Sequence, residues 1–170
     1  QEVININNTF KFDENVKVKI NKNKDKKEEY ELKKRMCQYY VNYGTLYKYM
    51  FKCVENENIE VIFYGQHKGK FQQFENIIKE EEFQNIFKEY LNKVTLSKDN
   101  FEIRLHNGSR IRFIVANDNS RGCRYHYAVV DTNIDREIYD NVIIAKGILF
   151  KMAKRENKLS DNYNMEFIEM

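Results

Sequence analysis

The residues with the clearest chemical potential close an apolar run. Tyr125-His126-Tyr127-Ala128-Val129-Val130 stops at Asp131, and an apolar strand ended by a carboxylate delivers that carboxylate to the carboxyl edge of a sheet, where α/β proteins bind ligands. If Asp118, Asp135 and Glu102 converged on Asp131, they would offer the oxygen set that Mg²⁺ requires. A second candidate is Gly65-Gln66-His67-Lys68-Gly69-Lys70. A glycine loop between a strand and a helix N-terminus is a general anion site, and His67, Lys68 and Lys70 suit a phosphate. An ATP site is not expected there, because the loop lacks the hydroxyl and the full spacing of G-x-x-x-x-G-K-[ST]. Tyr39 to Tyr49, YYVNYGTLYKY, fails the same pattern with a single glycine, Gly44, ahead of Lys48. The third set is arginine. Arg121 and Arg124 flank Gly122, with Arg110 and Arg112 on a neighbouring strand, and a planar guanidinium can grip phosphate or carboxylate with two parallel hydrogen bonds. Each set also has a structural reading. Arg110 and Arg112 fit a solvated sheet face, while Thr132-x-x-Asp135 fits a capping box, with Asp131 and Glu137 favourable near a helix N-terminus. Cys123-x-x-His126 has no second ligand pair, so zinc is not expected.

The elements that must position these groups can be read from periodicity. Phe101, Ile103 and Leu105 alternate with polar residues, Asn107-Gly108 turns the chain through positive φ, and Ile111, Phe113 and Val115 return antiparallel. Ile59 to Tyr64 predicts a strand and Phe71 to Asn92 a helix pair interrupted at Glu80-Glu81-Glu82; Val94 and Leu96 lead into the hairpin. Upstream, Val3 to Ile20 predicts a β-hairpin turning at Asp13-Glu14-Asn15, and Asn21 to Lys27 a charged linker. A long helix follows from Glu28, carrying Leu32, Met36, Tyr39, Tyr43, Tyr47 and Met50 at helical spacing. After Asp131 a helix is expected over Asn133 to Asn157, and Asn164 to Met170 predicts a last edge strand. The domain organisation is a hairpin and linker over 1–27 and one α/β domain over 28–170.

Asn107-Gly108-Ser109-x-Ile111-x-Phe113, then Ser120-Arg121-Gly122-x-Arg124, then the strand ending in Asp131, together resemble the ATPase domain of phage terminase large subunits, a P-loop NTPase. The resemblance covers about Ile59 to Asp140. It implies a three-layer P-loop NTPase-like α/β sheet flanked by helices, with Asp131 holding the Mg²⁺ of ATP, and it places the Ile59 strand second in the domain. In that family the residue after the Asp is a Glu that activates water. Here it is Thr132, which cannot take a proton from water at neutral pH, and only Asp135 stands nearby as a substitute. The phosphate-binding loop, which the order of elements would place within residues 30–58, has no counterpart either. The pattern is that of a degenerate member, with the scaffold kept and the catalysis lost.

Composition narrows the partners. Net charge is +3, from 29 basic and 26 acidic residues, so nucleic acid must be met by a local patch rather than by a global field. The basic excess between Lys11 and Arg35 is one such patch, or a solvated surface. Twelve Tyr and twelve Phe among 170 residues supply a core without disulfides. Three widely spaced cysteines, Cys37, Cys53 and Cys123, and no apolar run long enough to span a bilayer point to a reduced, cytoplasmic chain with no membrane partner. The chain opens on Gln1, so it is compatible with a piece of a longer protein. The expected function is a catalytically inactive terminase-like domain of phage or mobile-element origin that binds DNA or a protein partner, with no cofactor. An active Mg²⁺-dependent ATPase or nuclease of a DNA-packaging motor is one alternative, requiring Mg²⁺ and ATP. The other is a phage-encoded inhibitor of a host factor that binds through tyrosines 39, 43 and 47.

Overall fold

The computed structural model describes residues 26–97, 99–120, 123–144 and 165–170. The hairpin expected over residues 1–20, most of the charged linker and Arg121 lie outside the described residues. The long helix, α1, spans Lys26–Glu55 and so begins inside the expected linker. Glu28 and Glu29 in its first turn and Lys52 in its last complement the helix dipole. Only its second half is interior, with Tyr43, Leu46, Tyr47, Met50 and Cys53 buried along one stripe. Asn58, at φ 56°, turns the chain into β1 (Glu60–Gly65). A 3₁₀ turn (Lys68–Phe71) leads into α2 (Gln72–Lys79) and α3 (Glu81–Phe87). The predicted break between these two helices falls at Glu80, whose ψ of 142° is extended. Strands β2 (Leu91–Leu96), β3 (Phe101–Leu105), β4 (Arg110–Val115) and β5 (Tyr127–Asp131) follow, then α4 (Arg136–Ile138) and β6 (Met165–Ile168).

The six strands form one mixed sheet in the order β2-β3-β4-β1-β5-β6. Pairs β4–β1, β1–β5 and β5–β6 are parallel; β2–β3 and β3–β4 are antiparallel. Alternation sends Val61, Phe63, Tyr127 and Val129 to one face under α1, α2 and α3. Ile62, Tyr64, Ala128 and Val130 go to the other face, against Tyr125, Ile138 and Ile143. This is an α/β fold with helices on both faces, and β1, buried on both sides, is its centre.

Two local expectations change. Positive φ falls on Gly108 alone (86°), so the hairpin does not turn on both Asn107 and Gly108. Asn107 does not take positive φ and uses its side chain instead, its Nδ2 donating to the Cys53 carbonyl (2.7 Å) at the end of α1. The capping box at Thr132 does not form either. Asp135 is the N-cap of α4, without a side-chain capping bond, because Asp131 has already organised the turn by accepting from the Asn133 N–H (3.1 Å). From Tyr139 to Ile144 the coil widens to π geometry, and the Tyr125 hydroxyl donates to the Ile143 carbonyl (2.8 Å). The remainder of the expected helix, from residue 145, lies outside the described residues.

Candidate functional site

The parallel strands end together, so Val115, Gly65, Asp131 and Ile168 share one edge of the sheet. Asp131 is 1% exposed there. Its Oδ2 accepts from the Gln66 N–H (3.2 Å), and its Oδ1 accepts from the Asn133 N–H, the Asn133 Nδ2 (2.9 Å) and the Met170 N–H (3.4 Å). One carboxylate thereby joins the turn after β1, the turn after β5 and the C-terminal residue. Thr132 is exposed, and its N–H continues the β5–β6 ladder to the Ile168 carbonyl (2.9 Å). Asp135 and Asp118 are exposed as well. Glu102 belongs to β3, three strands away from β5. The four carboxylates therefore do not converge, and no group of three or more His, Cys, Asp or Glu able to hold a metal occurs among the described residues.

The glycine loop is shaped by packing. A Cβ on Gly65 would come within 2.6 Å of the Phe71 ring, so the glycine lets that ring fold over the strand end. Two loop amides are committed, Gln66 donating to Asp131 and Lys70 to the His67 carbonyl, and Gln72 just beyond donates to the Gly69 carbonyl. His67 and Lys68 are exposed, Lys70 half-buried. The loop presents the Lys68 ammonium to solvent, and its first amide is turned inward to Asp131.

The predicted arginines separate into two groups. Arg110 is internal: its Nε lies 2.7 and 2.6 Å from the two oxygens of Glu60, and its NH1 lies 3.2 Å from Glu102 Oε1, which also takes Arg104 Nε at 2.8 Å. Burial would push the Glu102 carboxyl up, but the hydrogen bonds from Arg110 and Arg104 outweigh it and hold the group below the usual carboxylate range. Burial likewise lowers Arg110, and the Glu60 and Glu102 carboxylates more than restore it. Arg112 supports backbone, donating from NH2 to the Arg124 carbonyl (3.2 Å). Arg124 itself is exposed. At the carboxyl edge of the sheet the structure thus leaves His67 and Lys68 facing solvent and removes Arg110, while Arg124 lies away from that edge, beside His126, whose N–H and ring bond Glu60 at the opposite end of β1.

Tyr43 and Tyr47 are core residues, 0% and 1% exposed and stacked with ring centroids 4.4 Å apart. The hydroxyl of Tyr43 donates to Glu82 (2.6 Å). Tyr39, half-buried, donates to Glu80, and burial followed by that carboxylate's charge pushes its pKa up to about 12. Lys48 pairs with Glu166 at 2.9 Å.

A cavity of about 490 Å³ opens beside the carboxyl end of β4, between the start of α2 and the β2–β3 turn. Lys68 and Arg112 both line it, two basic residues 44 positions apart in sequence. Its aromatic walls come from three separate elements, and no linear spacing announces them. Comparison with family models, with curated proteins and with solved structures gives no match for this chain.

Proposed function

We propose that this chain is a terminase-like domain of P-loop type, of phage or mobile-element origin, that has lost nucleotide chemistry and binds nucleic acid through cations at the carboxyl edge of its sheet. The observation that carries this reading is the state of Asp131: the carboxylate that would hold Mg²⁺ is buried and engaged by four N–H donors from this chain's own turns. Thr132 beside it offers no base, and the Gln66 and Lys70 amides of the β1 loop are engaged by Asp131 and the His67 carbonyl. What that edge presents to solvent is the exposed Lys68 ammonium, with the His67 imidazole beside it and the half-buried Lys70 behind. Such a surface attracts a polyanion in a salt-dependent way without reading its sequence.

Calorimetry with ATP and Mg²⁺ is expected to show no binding heat, while fluorescence anisotropy with labelled DNA shows binding that weakens steeply with salt. Charge reversal at Lys68 and Lys70 (Lys68→Glu, Lys70→Glu) is expected to abolish the DNA signal with the thermal unfolding midpoint retained. Micromolar ATP·Mg²⁺ binding that disappears in Asp131→Ala would overturn the reading in favour of an ATPase.

A protein partner is favoured by one observation. The first half of α1 stands away from the core, and beside it Leu32, Met36, Tyr39 and Tyr40 line a groove of about 630 Å³ flanked by Glu80 and Glu82. Binding there would tolerate salt, which separates it from the DNA reading.

A further inference from the structure

The cavity beside β4 lies where the chain changes sides. From β1 the chain departs through α2 and α3, whose Phe74, Ile77 and Phe83 pack on one face of the sheet. From β4, the strand next to β1 and parallel to it, the chain departs through Ala116 and Tyr125, which pack on the opposite face. Neighbouring parallel strands whose connections leave to opposite faces open a crevice at their carboxyl ends, and ligands of open α/β sheets bind in that crevice. The cavity lies next to that crevice, on the β3 side of β4, and its volume of about 490 Å³ is ordinary for a ligand pocket.

Its walls define what would fit. Phe71, Phe101 and Phe113 form a joined aromatic wall, with centroid separations of 5.7 Å for Phe71–Phe113 and 4.1 Å for Phe101–Phe113. Gln72 and Asn100, both exposed, bring amide groups to opposite rims, each able to donate and accept along the edge of a flat heterocycle. Outside them Lys68 faces Asp99 at 3.8 Å, with side chains 59% and 94% exposed. A pair so solvated is weak and yields readily to a competing anion. Aromatic surface within, amides at the rim and one displaceable ammonium outside match a base with its adjoining phosphate. Arg112 also lines the cavity, but its guanidinium is held by the Arg124 carbonyl and by Glu60, and Glu75 and Asp99 offset the charge, so a nucleoside triphosphate would demand more positive charge than the lining supplies.

We propose that this cavity receives an unpaired nucleobase of a single-stranded nucleic acid, with Lys68 on the neighbouring phosphate. The inference rests on the polyanion-binding reading above and adds to it the form of the nucleic acid: bases paired in a duplex cannot enter. Stacking a base on aromatic side chains strengthens binding by about tenfold.

The test compares three labelled ligands of equal length: oligothymidylate, its abasic analogue and a blunt duplex. Oligothymidylate is expected to bind about tenfold tighter than either of the others. Plugging the cavity from one rim with Asn100→Trp, or from the other with Gln72→Trp, should bring oligothymidylate down to the abasic level and leave abasic binding unchanged. Equal binding of oligothymidylate and the abasic strand by the wild type overturns the base cavity and leaves the polyanion reading standing. Plugs that weaken both ligands equally, or that leave the preference for bases intact, also overturn it. If none of the three ligands binds, both readings fall.

Discussion

Asp131 connects three stretches of chain that share no other anchor of this kind, so its removal should be felt as lost stability. Asp131→Ala removes a buried carboxylate that accepts from the Gln66, Asn133 and Met170 N–H groups and is expected to cost about 3 kcal/mol in urea unfolding. Asp131→Asn keeps an amide oxygen in place and should cost about half as much. A wild-type midpoint in Asp131→Ala would refute the strut role. Cysteine reactivity offers an independent check at this scale. Burial, reinforced by the Glu60 carboxylate, pushes the Cys53 thiol up to about 12, which leaves almost no thiolate at neutral pH, and Cys37 is exposed. Under native conditions iodoacetamide should modify Cys37 and spare Cys53 until the chain unfolds, as read by peptide mass spectrometry. Labelling of Cys53 as fast as Cys37 would contradict the packing of α1.

At the scale of elements, the Asn107-Gly108-Ser109 turn of the β3–β4 hairpin is a clip on the α1–β1 junction. Ser109 Oγ donates to the Asn56 carbonyl (2.6 Å) and accepts from the Ile59 N–H (3.0 Å), while Asn107 caps the end of α1. Gly108 is left-handed, and a Cβ there would overlap the Asn58 side-chain oxygen. Gly108→Ala is therefore expected to cost about 2 kcal/mol, and Asn107→Ala about 1 kcal/mol, in chemical denaturation. The residues that carry the terminase resemblance at this point thus have a full structural explanation of their own. The charged cluster between β1, β3 and β4 makes a pH prediction. Glu102 ionises more readily folded than unfolded, so its contribution is complete above about the ordinary value of 4.5 and is lost as pH falls through the lower folded value. Glu80, raised chiefly by burial, acts in the opposite sense, adding stability as pH falls. Glu102→Gln should flatten the acid limb of a plot of melting temperature against pH, which isolates Glu102 from Glu80. An unchanged acid limb would show that the Arg104 and Arg110 contacts are not made in solution.

For the whole molecule, the balance of charge decides how nucleic acid could be held. A net charge of +3 gives little long-range attraction, so affinity must come from the few cations gathered at the sheet edge. Each phosphate contact on a single strand lowers the slope of log K against log salt by about 0.7. Lys68→Ala should reduce that slope by about one contact, whereas Arg110→Met, which removes a cation already held by Glu60 and Glu102, should destabilise the fold and leave the slope unchanged. A slope that responds to Arg110 instead would move the binding surface to the β3–β4 face. Among the described residues no helix is long and apolar enough to cross a membrane.

The sequence by itself determined the elements that local pattern encodes. The amphipathic stripe of α1, the strand before Gly65, the break at Glu80, the hairpin around Gly108 and the buried strand ending at Asp131 were all legible, because burial repeats at 3.6 or 2 residues and glycine marks the turn. Asp131 was legible as a strand-end carboxylate at the sheet edge; its engagement was not, because three of its four donors come from Gln66 and Met170, remote in sequence, or from a turn that competes with the capping box at Thr132. Arginines 110 and 112 looked alike in the linear pattern and both reach Glu60, but only Arg110 also pairs with Glu102, while Arg112 donates to the Arg124 carbonyl. Only the tertiary structure decided the strand order that set β1 between β4 and β5, and with it the crevice where their connections part. A cavity is a property of surfaces brought together from distant positions. Phe71, Phe101 and Phe113 are indistinguishable from core aromatics until the sheet places them around one opening.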